Sequence, residues 1–257
     1  MNSLLSFERF KIRVSGLSKS FSDPVKPKQR KLIFEDVDME IGVGFFSALM
    51  GPSGCGKSTL LKIIAGLETA DTGSVDYYLA GKWIPIIKNG QFVQSDSTAS
   101  QLRCKHIGFV FQSHQLIHEF NVLENVALPL QLQEISGKEA RERAAAMLDR
   151  VGLGKELAKF PETLSVGMQQ RVGIARAMVH EPTLIFADEP TASLDPGMAE
   201  EVIEMMLLLQ EFMETTILMI THSPQMAKPL DEIWQFVRSQ GNVDEISYSL
   251  ERKSSSV

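Results

Sequence analysis

The stretch Phe45–Thr59, FFSALMGPSGCGKST, restricts the fold more than any other part of the chain. An apolar run from Phe45 to Met50 stops at Gly51, a glycine-rich loop follows, and the pattern from Lys57 to Leu67 is helical. Residues 51–58 fit G-x-x-x-x-G-K-[ST], and strand, loop and helix stand in the order that pattern needs. Gly51, Gly54 and Gly56 let backbone N–H groups converge on an anion, with Ser53 and Cys55 between them. The helix beginning near Lys57 adds its positive end. Lys57 is placed to reach the β- and γ-phosphates of a nucleotide and Ser58 to ligate Mg²⁺, with Thr59 beside them. Cys55 reads first as a small spacer in the loop; the alternative is a functional thiol whose pKa is lowered by the nearby helix N-terminus. A thiol reagent should then block nucleotide binding, and bound ATP should protect.

Composition removes several alternatives. With 257 residues, 44% of them hydrophobic, the chain has enough material for a large α/β domain and is not disordered. A net charge of −6 argues against broad nucleic-acid binding. Cys55 and Cys104 cannot make a disulfide framework, which points to a reducing compartment. Met1–Lys11 does not read as a signal peptide, and no apolar run approaches the ~18–20 residues that cross a bilayer. If the protein works at a membrane, another chain supplies the span.

The remaining pattern has two α/β halves around a helical insertion. Lys11–Val14 and Leu32–Ile41 alternate as strands, with Gly16 expected to turn the chain and the basic segment Pro24–Lys31 to form a solvated loop. Thr72–Cys104 is irregular and polar, with two strand-like pieces and an expected loop over Ser95–Ser100; it receives no role. His106–Phe111 reads as a strand, and Asn121–Gln133 and Gly137–Val151 as helices, the second ended by Gly152 and Gly154. A helix opens at Ser165 or Gly167 and runs to about Val179. Thr183–Ala187 and Thr216–Ile220 are short apolar strands of the kind covered on both faces, separated by a helix over Pro196–Glu214. The polar tail at about 250–257 is expected to be disordered.

Leu184–Ala187 runs directly into Asp188-Glu189. Strand ends of an open α/β sheet point into the ligand crevice, so Asp188 is placed to hold Mg²⁺ and Glu189 to act as general base toward water at a γ-phosphate. Thr221-His222 ends the next buried strand, where the imidazole can bond the γ-phosphate and the attacking water. His114 and His118 are spaced i,i+4, but no Glu follows His114, so the pair does not read as a metal site.

Taken together, these motifs resemble the ATP-binding-cassette (ABC) ATPase family over nearly the whole chain. Phe111-Gln112 looks like its Q-loop, Leu164–Arg171 like its signature, Asp188–Thr191 like its Walker B segment, Ser193–Asp195 like its D-loop and Thr221-His222 like its switch histidine. Phe21 stands where an aromatic stacks on adenine. The resemblance implies an α/β fold: a RecA-like P-loop core at about 10–112 and 164–238, an antiparallel β subdomain, and an inserted α-helical subdomain at about 113–163, all within one ABC domain. It implies ATP and Mg²⁺ as ligands, with Gln112 sensing the metal. It also implies a head-to-tail homodimer in which Ser165 and Gly167 serve the partner's γ-phosphate.

The signature departs from the family at Val166, where Gly is preferred, and at Met168. Val166 is expected to weaken ATP-driven dimerisation or slow hydrolysis. Gly173, inside the signature helix, is expected to serve close helix packing. Phe111–Leu130 is similar to the branch serving lipoprotein release, macrolide or peptide efflux, and cell division. That branch implies an ATPase at the cytoplasmic face of the inner membrane, held by integral membrane subunits that dock near Gln112 and the helical subdomain. Phe120 and the helix over Asn121–Leu130 are the candidates for the receiving groove. A soluble ABC ATPase of translation or DNA repair is the alternative; one cassette, a compact insertion and acidic charge disfavour it.

Overall fold

The computed structural model describes residues 10–22, 30–238 and 248–253. Strands β1 (Phe10–Ser22) and β2 (Arg30–Gly42) pair antiparallel, and β3 (Phe46–Met50) leads through the glycine loop into helix α1 (Lys57–Ile64). The helix pattern reads on to Leu67, but left-handed Gly66 (φ 67°) closes α1 earlier. Gly16 does not turn the chain. It sits inside β1 at φ 59°, where the β1–β2 register shifts, and its N–H donates to Asp38 Oδ1 at 2.8 Å. An extra residue accommodated in one strand of a ladder is a bulge, and glycine takes the left-handed angle at no steric cost. The expected basic loop lies outside the described residues except for Arg30 and Lys31, which open β2.

Thr72–Cys104 is ordered. It forms β4 (Thr72–Leu79), β5 (Lys82–Lys88), β6 (Gln91–Phe92) and helix α2 (Asp96–His106), followed by β7 (Ile107–Val110). The loop expected over Ser95–Ser100 is the first turn of α2. Ser95 caps it, accepting from Thr98 N–H, and Asp96 complements the helix dipole. No residue of α2 is fully buried, so apolar periodicity could not disclose it.

Helices α3 (Val122–Leu132) and α4 (Gly137–Arg150) form the insertion. Asn121 and Glu124 close a capping box on α3. A short 3₁₀ turn at Pro161–Thr163 precedes α5 (Val166–Met178). Then come β8 (Leu184–Asp188), α6 (Pro196–Met213), β9 (Thr216–Ile220), α7 (Pro224–Ala227), β10 (Glu232–Arg238) and β11 (Tyr248–Lys253). The expectation of a disordered tail fails over 250–253. Those residues belong to β11, paired from Ile233↔Lys253 to Arg238↔Tyr248, and Arg252 bonds buried Glu232 at 2.6 Å.

The strands make two sheets: an antiparallel one, β2-β1-β4-β5-β6, and one of order β11-β10-β3-β9-β8-β7, parallel from β10 to β7. Alternation along β8 and β9 divides the interior in two. Ile185, Ala187, Ile217 and Met219 face a core shared with α3 to α6, while Leu184, Phe186, Leu218 and Ile220 face one shared with α1 and the antiparallel sheet. A side chain such as Phe186, fully buried, contributes about 2–3 kcal/mol of apolar transfer. Strand β7 lies close against α5 because Gly108 has no Cβ; one placed there would come within 2.1 Å of the Ala177 carbonyl. Among the described residues, no helix is long and apolar enough to cross a membrane.

Candidate functional site

Strand order assembles the site. Since β3, β9 and β8 are adjacent and parallel, the glycine loop, Thr221-His222 and Asp188-Glu189 leave the same end of the sheet side by side. Main-chain bonds tie them: Thr221 N–H donates to Leu49 O at 3.2 Å and Glu189 N–H to Ile220 O at 3.2 Å.

Within the loop, Gly54 (φ 78°) and Gly56 (φ 101°) hold left-handed angles, and no side chain caps α1. A Cβ on Gly56 would lie 2.4 Å from Ile33, so this turn accepts only glycine. Ser53 and Gly54 are exposed, and Thr59 is half-buried in the first turn of α1. The Lys57 ammonium is buried and donates to the Gly51 and Pro52 carbonyls at 2.9 Å each. It is held within the curve of the loop, where phosphate oxygens can displace those carbonyl contacts.

Cys55 corrects the expectation of a reactive thiol. Its side chain is fully buried, and its Sγ lies 2.9 Å from where a Cβ on Gly51 would stand. Burial pushes the thiol pKa up, outweighing the lowering effects of Lys57 and nearby N–H groups.

Ser58 Oγ donates to Asp188 Oδ1 at 3.1 Å. Burial raises the Asp188 pKa and the Ser58 bond partly offsets it; the Glu189 charge adds to the rise. An exposed hydroxyl and a partly buried carboxylate that touch are hard oxygen donors of the kind Mg²⁺ takes, so this pair fits that ion. Glu189 adopts φ 46°, uncommon for a residue with a Cβ, and its Oε2 lies 3.4 Å from His222 Nδ1. Gln112 is exposed just past the end of β7, the neighbour of β8, so it leaves the sheet at the same end as Asp188.

Other predicted residues stand apart from this cluster. Ser165 caps α5 by accepting from Met168 N–H at 3.3 Å, and Val166 beside it is exposed. Gly167 is buried; a Cβ there would come within 3.2 Å of Met198 Sδ. Among the described residues, no hydrogen bond or ion pair joins Ser165 or Gly167 to the glycine loop. Phe21 is exposed on β1 with Lys19 Nζ 4.9 Å from its ring centroid, and that ammonium is fixed by Glu68 and Thr69. Gly173 faces the loop after β7: a Cβ would stand 3.7 Å from the His114 carbonyl.

A groove of about 440 Å³ opens between α2, α3 and α5, lined by Cys104, Phe109, Gln115, Leu128, Leu132 and Arg176 among others. Helix α3 lines it through Leu128, Pro129 and Leu132, and Phe120 is not part of the lining. Two contributors escaped sequence reasoning. One is α2, hidden by its polar composition; the other is Arg176, a single charge inside the otherwise apolar run Gly173–Met178.

Comparison with known proteins agrees with this geometry. The family model described as ABC transporter matches residues 34–192. A lipoprotein-releasing system ATP-binding protein LolD of Legionella pneumophila is 40% identical over 219 residues, covering 84% of this chain and 90% of the relative. The LolD of Pseudomonas fluorescens is also 40% identical, covering 79% and 85%. Among solved structures, the dimeric bacterial ABC transporter cassette MJ0796 superimposes with a TM-score of 0.78 at 30% identity, covering 96% of this chain and 99% of that one. Its dimer in a post-hydrolysis state bound to ADP and Pi gives 0.77.

Proposed function

Because the chain belongs to the ABC transporter family of ATP-hydrolysing cassettes, we propose that it is the ATPase subunit of a lipoprotein-release complex. The observation that carries the catalytic part is the adjacency of the Lys57 loop, the Ser58–Asp188 pair and the Glu189–His222 pair at one end of the parallel sheet. Lys57 and the loop N–H groups bind the phosphates of ATP, while Gly51, Ser53, Gly54, Cys55, Gly56 and Thr59 shape the cradle. Glu189 takes a proton from the water whose oxygen attacks the γ-phosphorus. The bond from that phosphorus to the β-bridging oxygen breaks, leaving ADP and phosphate. His222, within reach of Glu189, orients the water and the γ-phosphate. Ser58, Asp188 and Gln112 would hold Mg²⁺, which supplies positive charge against the phosphate oxygens. Phe21 offers a ring for the adenine base.

Two copies pair head to tail, with Ser165 and Gly167 of each reaching the partner's γ-phosphate. That reading is supported by the start of α5, where Ser165 and Val166 are exposed and, among the described residues, no hydrogen bond or ion pair reaches the glycine loop of the same chain, and by the dimeric state of MJ0796. The assembly is peripheral on the cytoplasmic face of the inner membrane, attached through a helical segment of an integral membrane subunit seated in the groove beside Gln112. The lipoprotein-releasing relatives named above favour this reading over a soluble ATPase of translation or DNA repair, and no nucleic-acid partner is needed for it.

Glu189→Gln tests the chemistry: ATP should still bind, and turnover should fall about a hundred-fold or more. Unchanged hydrolysis would remove Glu189 as the base. Extracting the same variant from native membranes with ATP should bring down a stoichiometric membrane protein with few spans and a large extracytoplasmic domain. A ribosomal or nucleic-acid partner with no membrane chain would overturn the assignment.

A further inference from the structure

The segment that leaves β7 and carries Gln112 has an unusual backbone. His114 (φ 56°) and Gln115 (φ 47°) are consecutive left-handed residues, and neither is glycine. Each pays a steric penalty that a glycine would avoid, so two in a row persist only when something outside the loop fixes them. The structure supplies that restraint from α5. Arg176 Nη1 donates to the Gln115 carbonyl at 2.7 Å, and Nη2 to the His114 carbonyl at 2.8 Å. The two left-handed carbonyls are thus gripped by one planar fork, and charged donors make such bonds stronger than neutral ones. One turn earlier on the same face, Gly173 leaves room for His114 to lie against α5.

The far end of the segment is held independently. Fully buried Asn125 accepts from Ile117 N–H at 2.8 Å and donates to the carbonyls of Ile117, Phe120 and Asn121. Gln112 is therefore suspended between β7 and a fixed base on α3; beyond the turn's own main-chain bonds from His114 N–H to Phe111 O and Gln115 N–H to Ser113 O, the side-chain hydrogen bonds to residues 114 and 115 among the described residues come from Arg176. The same α5 is capped by Ser165, 11 residues upstream of Arg176, about 16 Å away along the helix axis. Arg176 and Gln115 also line the groove between α2, α3 and α5.

From this geometry we infer that Arg176 is a positioning residue for hydrolysis: its fork locks the doubly left-handed turn that presents Gln112, and makes that turn move as one body with the helix that Ser165 caps. A partner segment entering the groove would touch the locked turn directly. The inference rests on the ATPase reading above. It assigns to Arg176 no contact with substrate.

The test uses the full chain with Mg²⁺ and ATP. Arg176→Ala should lower kcat about ten-fold while the Kd for ATP, read in the Glu189→Gln background, stays within about two-fold. Arg176→Lys, which keeps the charge but not the fork, should fall between Arg176→Ala and the native chain. The decisive variant is Gln115→Gly in the Arg176→Ala background. Glycine takes the left-handed angle freely, so the turn should re-form without the clamp and kcat should recover several-fold. A residue that only stabilised the fold would change the melting temperature, and Gln115→Gly would not restore turnover. Equal losses in ATP binding and kcat, or no recovery with Gln115→Gly, overturn the inference. If Arg176→Ala does not fold, the Arg176→Lys pair with and without Gln115→Gly decides by the same recovery. Glu189→Gln separates the two levels: abolished turnover there with undiminished turnover in Arg176→Ala refutes the clamp alone, whereas full turnover in Glu189→Gln refutes the reading beneath it.

Discussion

Replacing Arg252 with Ala removes the charged partner of a carboxylate that is only 2% exposed. Glu232 Oε1 accepts from Arg252 at 2.6 Å, and Oε2 accepts from Ser47 Oγ at 3.1 Å and Trp234 Nε1 at 3.3 Å. Breaking a fully buried ion pair from one side costs about 3–5 kcal/mol. Here the guanidinium side chain is 51% exposed and two neutral donors remain, so the expected cost falls to about 2 kcal/mol. For a chain of this size that is a drop of about 4–8 °C in melting temperature. Scanning calorimetry on the nucleotide-free protein reads it. Adding Glu232→Gln to Arg252→Ala removes the stranded charge while keeping an acceptor, and should return at least half of the loss. A drop of under about 1 °C for Arg252→Ala, or a double variant no better than the single, would refute the argument that β11 is fastened by this pair.

Thiol labelling of the native chain should modify Cys104, which is partly exposed, and spare Cys55, with both reacting only in denaturant; mass spectrometry counts the adducts, and rapid labelling of Cys55 would contradict its burial. Val166→Gly should raise the basal ATPase rate by removing a β-branched side chain that stands exposed at the start of α5; an unchanged rate means Val166 does not limit dimerisation. The Asp188 pKa is raised in the fold above 3.8, so the folded state holds that proton more tightly than the unfolded chain. Its contribution to stability is therefore present at acid pH and lost as pH climbs through the raised value. Without nucleotide or Mg²⁺, Asp188→Asn should flatten that part of the melting profile and be more stable than the native chain at neutral pH.

What the sequence disclosed was local. The glycine loop, the acidic strand end and the capped start of α5 each occupy a few consecutive residues, and their chemistry follows from spacing. The apolar runs at β3, β8 and β9 were legible because strands covered on both faces need no alternation. What stayed hidden depends on distant partners. Gly16 is a bulge because β2 and β4 flank it on both sides. The residues of α2 read as a polar loop because none of them is fully buried, and Tyr77 is drawn inside by a bond from its hydroxyl to the Ile64 carbonyl. β11 is ordered by partners far away in sequence: it pairs with β10, and Arg252 bonds Glu232. Cys55 is buried because the loop folds its side chain inward against Gly51, which itself abuts Phe236 on β10; helix proximity alone suggested a reactive thiol.

The bonds from Thr221 N–H to Leu49 O and from Glu189 N–H to Ile220 O have one more consequence. They are main-chain bonds between neighbouring strands, and neighbouring strands in any sheet lie about 4.7–4.9 Å apart. The lateral offsets from the glycine loop to His222, and from His222 to Glu189, are thus set by peptide geometry, in units of one strand. Side chains above and below the sheet can be exchanged without rescaling them. A lineage carrying this chain can rebuild its two cores, its groove and its surface while the separation of the phosphate cradle from the proton acceptor stays constant, because the ruler is the backbone itself.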